Sequence, residues 1–203
     1  MPVAISAELV KTLRDKTGAG FMECKAALSE ANGDLEQATT ILRKRGLASA
    51  AKKAGRATSQ GIVGSYIHMG GKIGVMVELN CESDFVARTD QFQALAKEIA
   101  MHVAASDPTW VRREEVPVVA LEKEREIYRA QFAQSGKPAA VVDKIVEGKL
   151  GSYYSQVVLL DQPFVRDPAI AVSQVIADAT AKMGENITIS RFCRFKVGET
   201  IEQ

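Results

Sequence analysis

The stretch LNCESDFVAR, residues 79–88, sets a hydrogen-bond acceptor, Asp84, beside a rigid apolar wedge, Phe85. The run before it, Ile73, Val75, Val77 and Leu79, alternates like a half-buried strand, so the pair stands where a loop is expected to begin. Phe85 is then either a core residue folding back or a probe for another protein. Phe21 and Met22, which open a short helix, form a second apolar pair with two readings: they close a small bundle, or they anchor a partner.

Covalent chemistry finds less support. TGAGFMECK, residues 17–25, has two glycines of a dinucleotide fingerprint, but Glu23 replaces the third and the segment follows a helix rather than a strand. It also fails the phosphate-loop pattern, because Lys25 is followed by Ala26; Gly18 and Gly20 read better as helix termination and a tight turn. Of the two histidines, His102 shares a helix with Ile99 and Val103 and reads as a partly buried packing residue, while His68 beside Gly70 and Gly71 reads as exposed. No nucleophile elbow and no carboxylate spacing of a metal loop occurs, so neither a catalytic residue nor a metal or other cofactor is expected.

The elements holding these residues belong to an ordinary globular chain: 203 residues, 25% charged, 46% hydrophobic, formal net charge +1. That balance does not demand nucleic acid. Cys24, Cys81 and Cys193 lie far apart and are odd in number, which fits a reducing compartment. MPVAISAELVK lacks the basic and apolar regions of a leader, and no apolar run approaches the ~20 residues of a membrane helix, so a cytoplasmic protein is expected.

Residues 1–46 read as three short helices. Ser6 caps the first, with Ile5 and Val10 as a hydrophobic staple; the second runs to Asn32 and Gly33; Asp34 and Gln37 cap the third, whose Leu35, Ala38, Ile41 and Leu42 share a face and which Gly46 is expected to stop. Residues 47–60 read as an Ala-rich basic linker or frayed helix with Lys52, Lys53 and Arg56, below Arg43, Lys44 and Arg45. This charge is either solvated at a helix end or a site for an acidic protein or RNA. From residue 61 to 203 the pattern is mixed: a hairpin around Gly70 and Gly71, a helix from Asp90 toward Asp107 and Pro108, charged helical sequence over 120–136, and a helix opened by Pro138. A breaker-rich turn, DQPFVRDP, precedes a helix from about Pro168 to Met183. The last strand alternates Ile187, Ile189, Cys193, Phe195 and Val197, with Phe192 on the polar face, where an aromatic hints at a subunit contact.

Taken together, LVKTLRDKTGAGFMECKAAL, AAKKAG, VELNCESDFVAR, SGKP, QPFV and RFCRFKVGE resemble bacterial elongation factor Ts, in one order and almost from end to end. The resemblance implies an α+β fold: a three-helix, ubiquitin-associated-like module followed by a core with antiparallel sheet and packed helices. It also implies a guanine-nucleotide exchange factor that binds the GTPase elongation factor Tu and releases its GDP, without covalent chemistry, cofactor, membrane or direct nucleic-acid contact. The family's Thr-Asp-Phe-Val motif, which enters the GTPase near its magnesium site, corresponds to Ser83, Asp84, Phe85 and Val86, serine losing one methyl and keeping the hydroxyl. By the same resemblance, docking of the first module is expected to fall to Arg14, Phe21, Met22 and Lys25, with Phe-Met where the family's commoner pair is Met-Met. Lys53 and His68 are further candidates. The length resembles that of short family forms that pair as homodimers, which places Phe192 and Cys193 near the axis of a dimer built on the C-terminal strand.

Overall fold

The computed structural model describes residues 5–132 and 136–199. Segments 1–4, 133–135 and 200–203 lie outside the described residues. They include the MPVA start, the end of the charged helical stretch with the Ser135 of SGKP, and the last residues of the expected core. The fold is α+β and divides into two compact units. One gathers the described residues of Met1–Gly61, Asn80–Thr89 and Gln174–Thr188, the other those of Ile62–Leu79, Asp90–Ser173 and Ile189–Gln203.

The first unit begins with three helices, α1 (Ala7–Thr17), α2 (Phe21–Glu30) and α3 (Leu35–Lys53). Their ends follow local chemistry. The Ser6 hydroxyl accepts from the Leu9 amide at 3.2 Å, and the Asp34 carboxylate accepts from Glu36 and Gln37 at 2.8 and 2.9 Å. Gly18 at φ 67° and Gly33 at φ 87° take the left-handed turns that release the chain from α1 and α2. Val10, Leu13, Cys24, Ala27, Leu28, Ala31 and Ala38 form the core between these helices. Gly46 does not stop α3, which runs on to Lys53. Glycine ends a helix by entering the left-handed region, and Gly46 remains helical and buried, with Ala181 Cβ and Asp178 Oδ1 beside the place its own Cβ would take.

The second unit is built on a sheet of order β1-β2-β5, from β1 (Gln60–Ile67), β2 (Ile73–Cys81) and β5 (Thr188–Lys196). Gly70 and Gly71, both at positive φ, close the β1–β2 hairpin. The Val197 amide donates to Lys72 O at 2.9 Å and Arg191 pairs with Glu78 at 2.8 Å, so β5 runs antiparallel to β2. Helix α5 (Asp90–Ser106) covers one face with Phe92, Leu95, Ala96, Ile99 and Val103 buried. Gly64 is where β1 meets it: an added Cβ would stand 2.8 Å from Ala96 Cβ.

The expected alternation of β5 holds only at its start. Ile187 and Ile189 are buried, but Phe195 is 60% and Val197 71% exposed. The Arg194 side chain is instead 10% exposed and bonds Ala104 O and Asp107. The inward parity thus differs between Ile189 and Arg194.

Helices α6 (Val118–Phe132) and α7 (Ala139–Val157) pair through Arg125, which bonds Glu122 and Glu147, and through Lys149, which lies over Tyr128 and Phe132. The breaker-rich turn is a small antiparallel ladder, β3 (Pro163–Phe164) with β4 (Asp167–Ala171). This pairing delays helix α8 from the expected Pro168 to Val172, and the helix ends at Met183 before Gly184.

His102 is wholly buried rather than partly so. Its Nδ1 accepts from the Val165 amide at 3.2 Å, which puts the proton on Nε2, 2.9 Å from Gln162 Oε1. Burial lowers its pKa, keeping the ring neutral.

Candidate functional site

The Asp84–Phe85 pair sits on one helical turn, α4 (Asp84–Ala87), rather than in an open loop. Ser83 has extended backbone and caps the turn, its hydroxyl accepting from the Val86 amide at 3.4 Å. Asp84 is the first helical residue, where a carboxylate is favoured, and it pairs with Arg88 one turn on at 2.9 Å. Ala87 faces inward and is buried. Two residues along a helix are about 200° apart, so Phe85 points the other way and is 80% exposed. The fold-back reading of Phe85 is thereby excluded.

Beneath the turn, the Cys81 thiol donates to Ser83 O at 3.1 Å. Burial, followed by the Glu185 charge, pushes this thiol above its ordinary pKa, which favours its neutral form. The Glu185 carboxylate receives three bonds: Oε2 from the amides of Glu82 (3.1 Å) and Ser83 (2.9 Å), Oε1 from the Ser83 hydroxyl (2.5 Å). In return Glu82 Oε1 accepts from the Asn186 amide at 2.6 Å. The Asn186 side chain continues to Ala54 O and Arg56 O, just past the end of α3.

Phe21 and Met22 occupy the first turn of α2. The Gly20 amide donates to Glu23 Oε2 at 3.1 Å, which holds the start of this helix. Phe21 is 48% and Met22 71% exposed, and the three-helix core closes without them. Arg14, in the last turn of α1, and Lys25 are exposed as well. Lys53 is half-buried and donates to Ser49 Oγ at 3.0 Å. Arg14, Phe21, Met22, Lys25, Lys53 and Ser83–Val86 therefore share one compact unit. His68, exposed with Nδ1 3.1 Å from the Tyr66 hydroxyl, belongs to the other, as do the half-buried Phe192 and Cys193. Among the described residues no group of three or more His, Cys, Asp or Glu side chains is arranged to hold a metal ion.

The family model described as elongation factor TS matches residues 10–199. The chain belongs to the elongation factor Ts family. Elongation factor Ts of Koribacter versatilis is 62% identical over 198 residues, 98% of this chain and 90% of the relative. The Fervidobacterium nodosum factor is 60% identical over 195 residues, 96% of this chain and 99% of its own. The Geobacter sulfurreducens factor is 55% identical over 201 residues, 99% of this chain and 93% of its own.

Arg88, Glu185 and Asn186 hold the turn, and sequence reasoning overlooked them. The spacing of Asp84 and Arg88 was a usable signal for a helical turn. Glu185 and Asn186 follow a helix-stopping glycine and carry no local mark of their bonds to Glu82 and Ser83. No helix among the described residues is long and apolar enough to cross a membrane.

Proposed function

We propose that this chain is a guanine-nucleotide exchange factor that binds elongation factor Tu in its GDP form and speeds release of the nucleotide. The observation that carries the reading is the 80% exposed Phe85 ring on a turn capped from both sides, in a chain of this family. A large aromatic left in water on a rigid support is the signature of a recognition anchor.

GDP in a translational GTPase is held by phosphate contacts to backbone amides, a lysine and Mg²⁺, so small displacements of those groups weaken it severely. Phe85 acts by binding better to the displaced arrangement than to the closed one. Linkage then makes factor and GDP weaken each other's binding by one factor. The factor performs no covalent step and selects no nucleotide; the excess of GTP gives direction. Asp84, paired with Arg88, stiffens the turn, while Ser83 and Val86 complete it. Arg14, Phe21, Met22 and Lys25 on the 1–46 module dock on the GTPase domain, with Lys53 and His68 as further contacts.

The test is release of labelled GDP from purified elongation factor Tu. Release faster by orders of magnitude in the presence of the chain supports the reading, and an unchanged rate overturns it. An RNA-binding role for the basic 43–56 segment is less favoured, since Arg45, Lys53 and Arg56 engage Glu30, Ser49 and Glu82 within the chain.

The second partner in this reading is another copy of the chain. Phe195 on β5 and Val197 just past its end lie exposed with Val63 and Ile67 on β1 and Met76 on β2. Strand alternation puts these side chains on the sheet face away from α5, beside Cys193. Sedimentation at micromolar concentration should give a dimer; a monomer removes this part of the proposal.

A further inference from the structure

We infer that Glu185 is a positioning residue for Phe85: its carboxylate fixes the direction of the α4 turn, and Asn186 ties that turn to the end of α3. The inference rests on the exchange-factor reading for its functional part. Its structural part stands alone.

A helix of four residues makes almost no internal bonds and is not stable by itself, because nucleation costs more than one turn returns. The Asp84–Arg88 pair is largely solvent-exposed and adds only a small increment. Something outside the turn must hold it. Glu185 does so by accepting from two consecutive amides, Glu82 and Ser83, where β2 has already ended and those amides have left the ladder. Its other oxygen takes the Ser83 hydroxyl proton, which orients that hydroxyl with a lone pair toward the Val86 amide. One carboxylate thus sets both the entry to the turn and the cap within it. Charge-assisted bonds of this kind are about twice as strong as neutral ones.

The clamp is reciprocal. Glu82 accepts from the Asn186 amide and from Arg56, and the Asn186 amide group donates to two carbonyls following α3. Rotation of the turn therefore has to break bonds on 82–83, on 185–186 and on 54–56 together. An anchor that must distort a partner needs such stiffness; a loose ring would bind the partner without opening it.

The experiment uses the full chain as wild type, Glu185→Ala, Glu185→Gln, Phe85→Ala and the Glu185→Ala/Phe85→Ala double variant. It reads amide hydrogen exchange by NMR and stimulated GDP release from elongation factor Tu. In Glu185→Ala the Glu82 and Ser83 amides should exchange roughly ten- to hundredfold faster, the factor that loss of a charge-assisted bond corresponds to. The Leu13 and Leu28 amides of the helical core should keep their protection and so report that the chain is folded. Stimulated release should fall about tenfold. Glutamine retains an acceptor for the two amides, so Glu185→Gln should restore protection and release to within about threefold of wild type.

In the Phe85→Ala background, adding Glu185→Ala should slow release less than about twofold, because the group being positioned is gone. Unchanged Glu82 and Ser83 exchange in Glu185→Ala, multiplicative losses in the double variant, or a Glu185→Gln no better than Glu185→Ala would each overturn the inference. If Glu185→Ala also loses core protection, Ser83→Ala replaces it. Faster Val86 exchange with an intact core then supports the clamp, and unchanged Val86 exchange overturns it. A wild-type chain that leaves GDP release unaltered defeats the exchange reading, while the amide data still decide whether Glu185 holds the turn.

Discussion

Replacing Phe85 by alanine separates recognition from folding because the ring is so little used by its own chain. Full burial of a phenylalanine is worth about 1.5–3 kcal/mol. With the residue 80% exposed, the fold uses about a fifth of that, so the variant should lose only about 0.3–0.6 kcal/mol of stability. For a chain of this size that is a shift of about 1–2 °C in Tm. The other four-fifths, about 1.2–2.4 kcal/mol, is available to a partner that covers the ring. If this is spent on the displaced state of the GTPase, stimulated GDP release should slow roughly 8- to 60-fold at subsaturating factor. Stopped-flow release of a fluorescent GDP analogue measures the rate, and thermal unfolding measures the fold. A rate within twofold of wild type refutes the argument for Phe85. So does a Tm lower by more than about 5 °C, which would mean the ring stabilises its own subunit far beyond its buried share.

Two glycines should respond to alanine with opposite sign. Gly64→Ala drives a Cβ to 2.8 Å from Ala96 Cβ and 3.2 Å from the α5 backbone, so chemical denaturation should show a loss of about 1–3 kcal/mol. At Gly46 the new Cβ meets Ala181 and Asp178 at an ordinary 3.6 Å inside a helix, so Gly46→Ala should gain about 0.5–1 kcal/mol, and a loss would show that α3 does not pass through this position as described. His102 has a folded pKa lowered by burial, so the unfolded chain binds the proton first. Stability should fall as pH drops through about 6.5, by at most about 1.4 kcal/mol per pH unit, until the folded pKa is reached. Urea midpoints between pH 7 and pH 5 should fall less steeply in His102→Gln, and equal slopes would exclude the imidazole as the source.

What the sequence disclosed was whatever depends on neighbours within a few positions. Ser6, Asp34, Gly18 and Gly33 act on amides and carbonyls close by in the chain, and each behaves as its residue type requires. The readings that missed involve choices settled at long range. Whether Gly46 stops a helix depends on the surface of α8 that it packs against, and whether Asp167–Ala171 is helical depends on a ladder with Pro163 and Phe164. The face of Phe195 turns on a parity change that no alternation count can register, since the residues on both sides of it still alternate.

The site divides along the same line. Phe85 was conspicuous because an aromatic after a strand is odd in its own neighbourhood. Its support is inconspicuous for a physical reason: Glu185 bonds to the backbone amides of Glu82 and Ser83 as well as to one hydroxyl. Backbone amides are present whatever the side chains are, so the acceptor leaves no complementary residue to find. A recognition group held this way can be read locally while its rigidity cannot. That rigidity decides between a ring that merely binds and one that displaces a metal and a phosphate, because only a support stiffer than the partner's nucleotide grip makes the distorted state the better bound one.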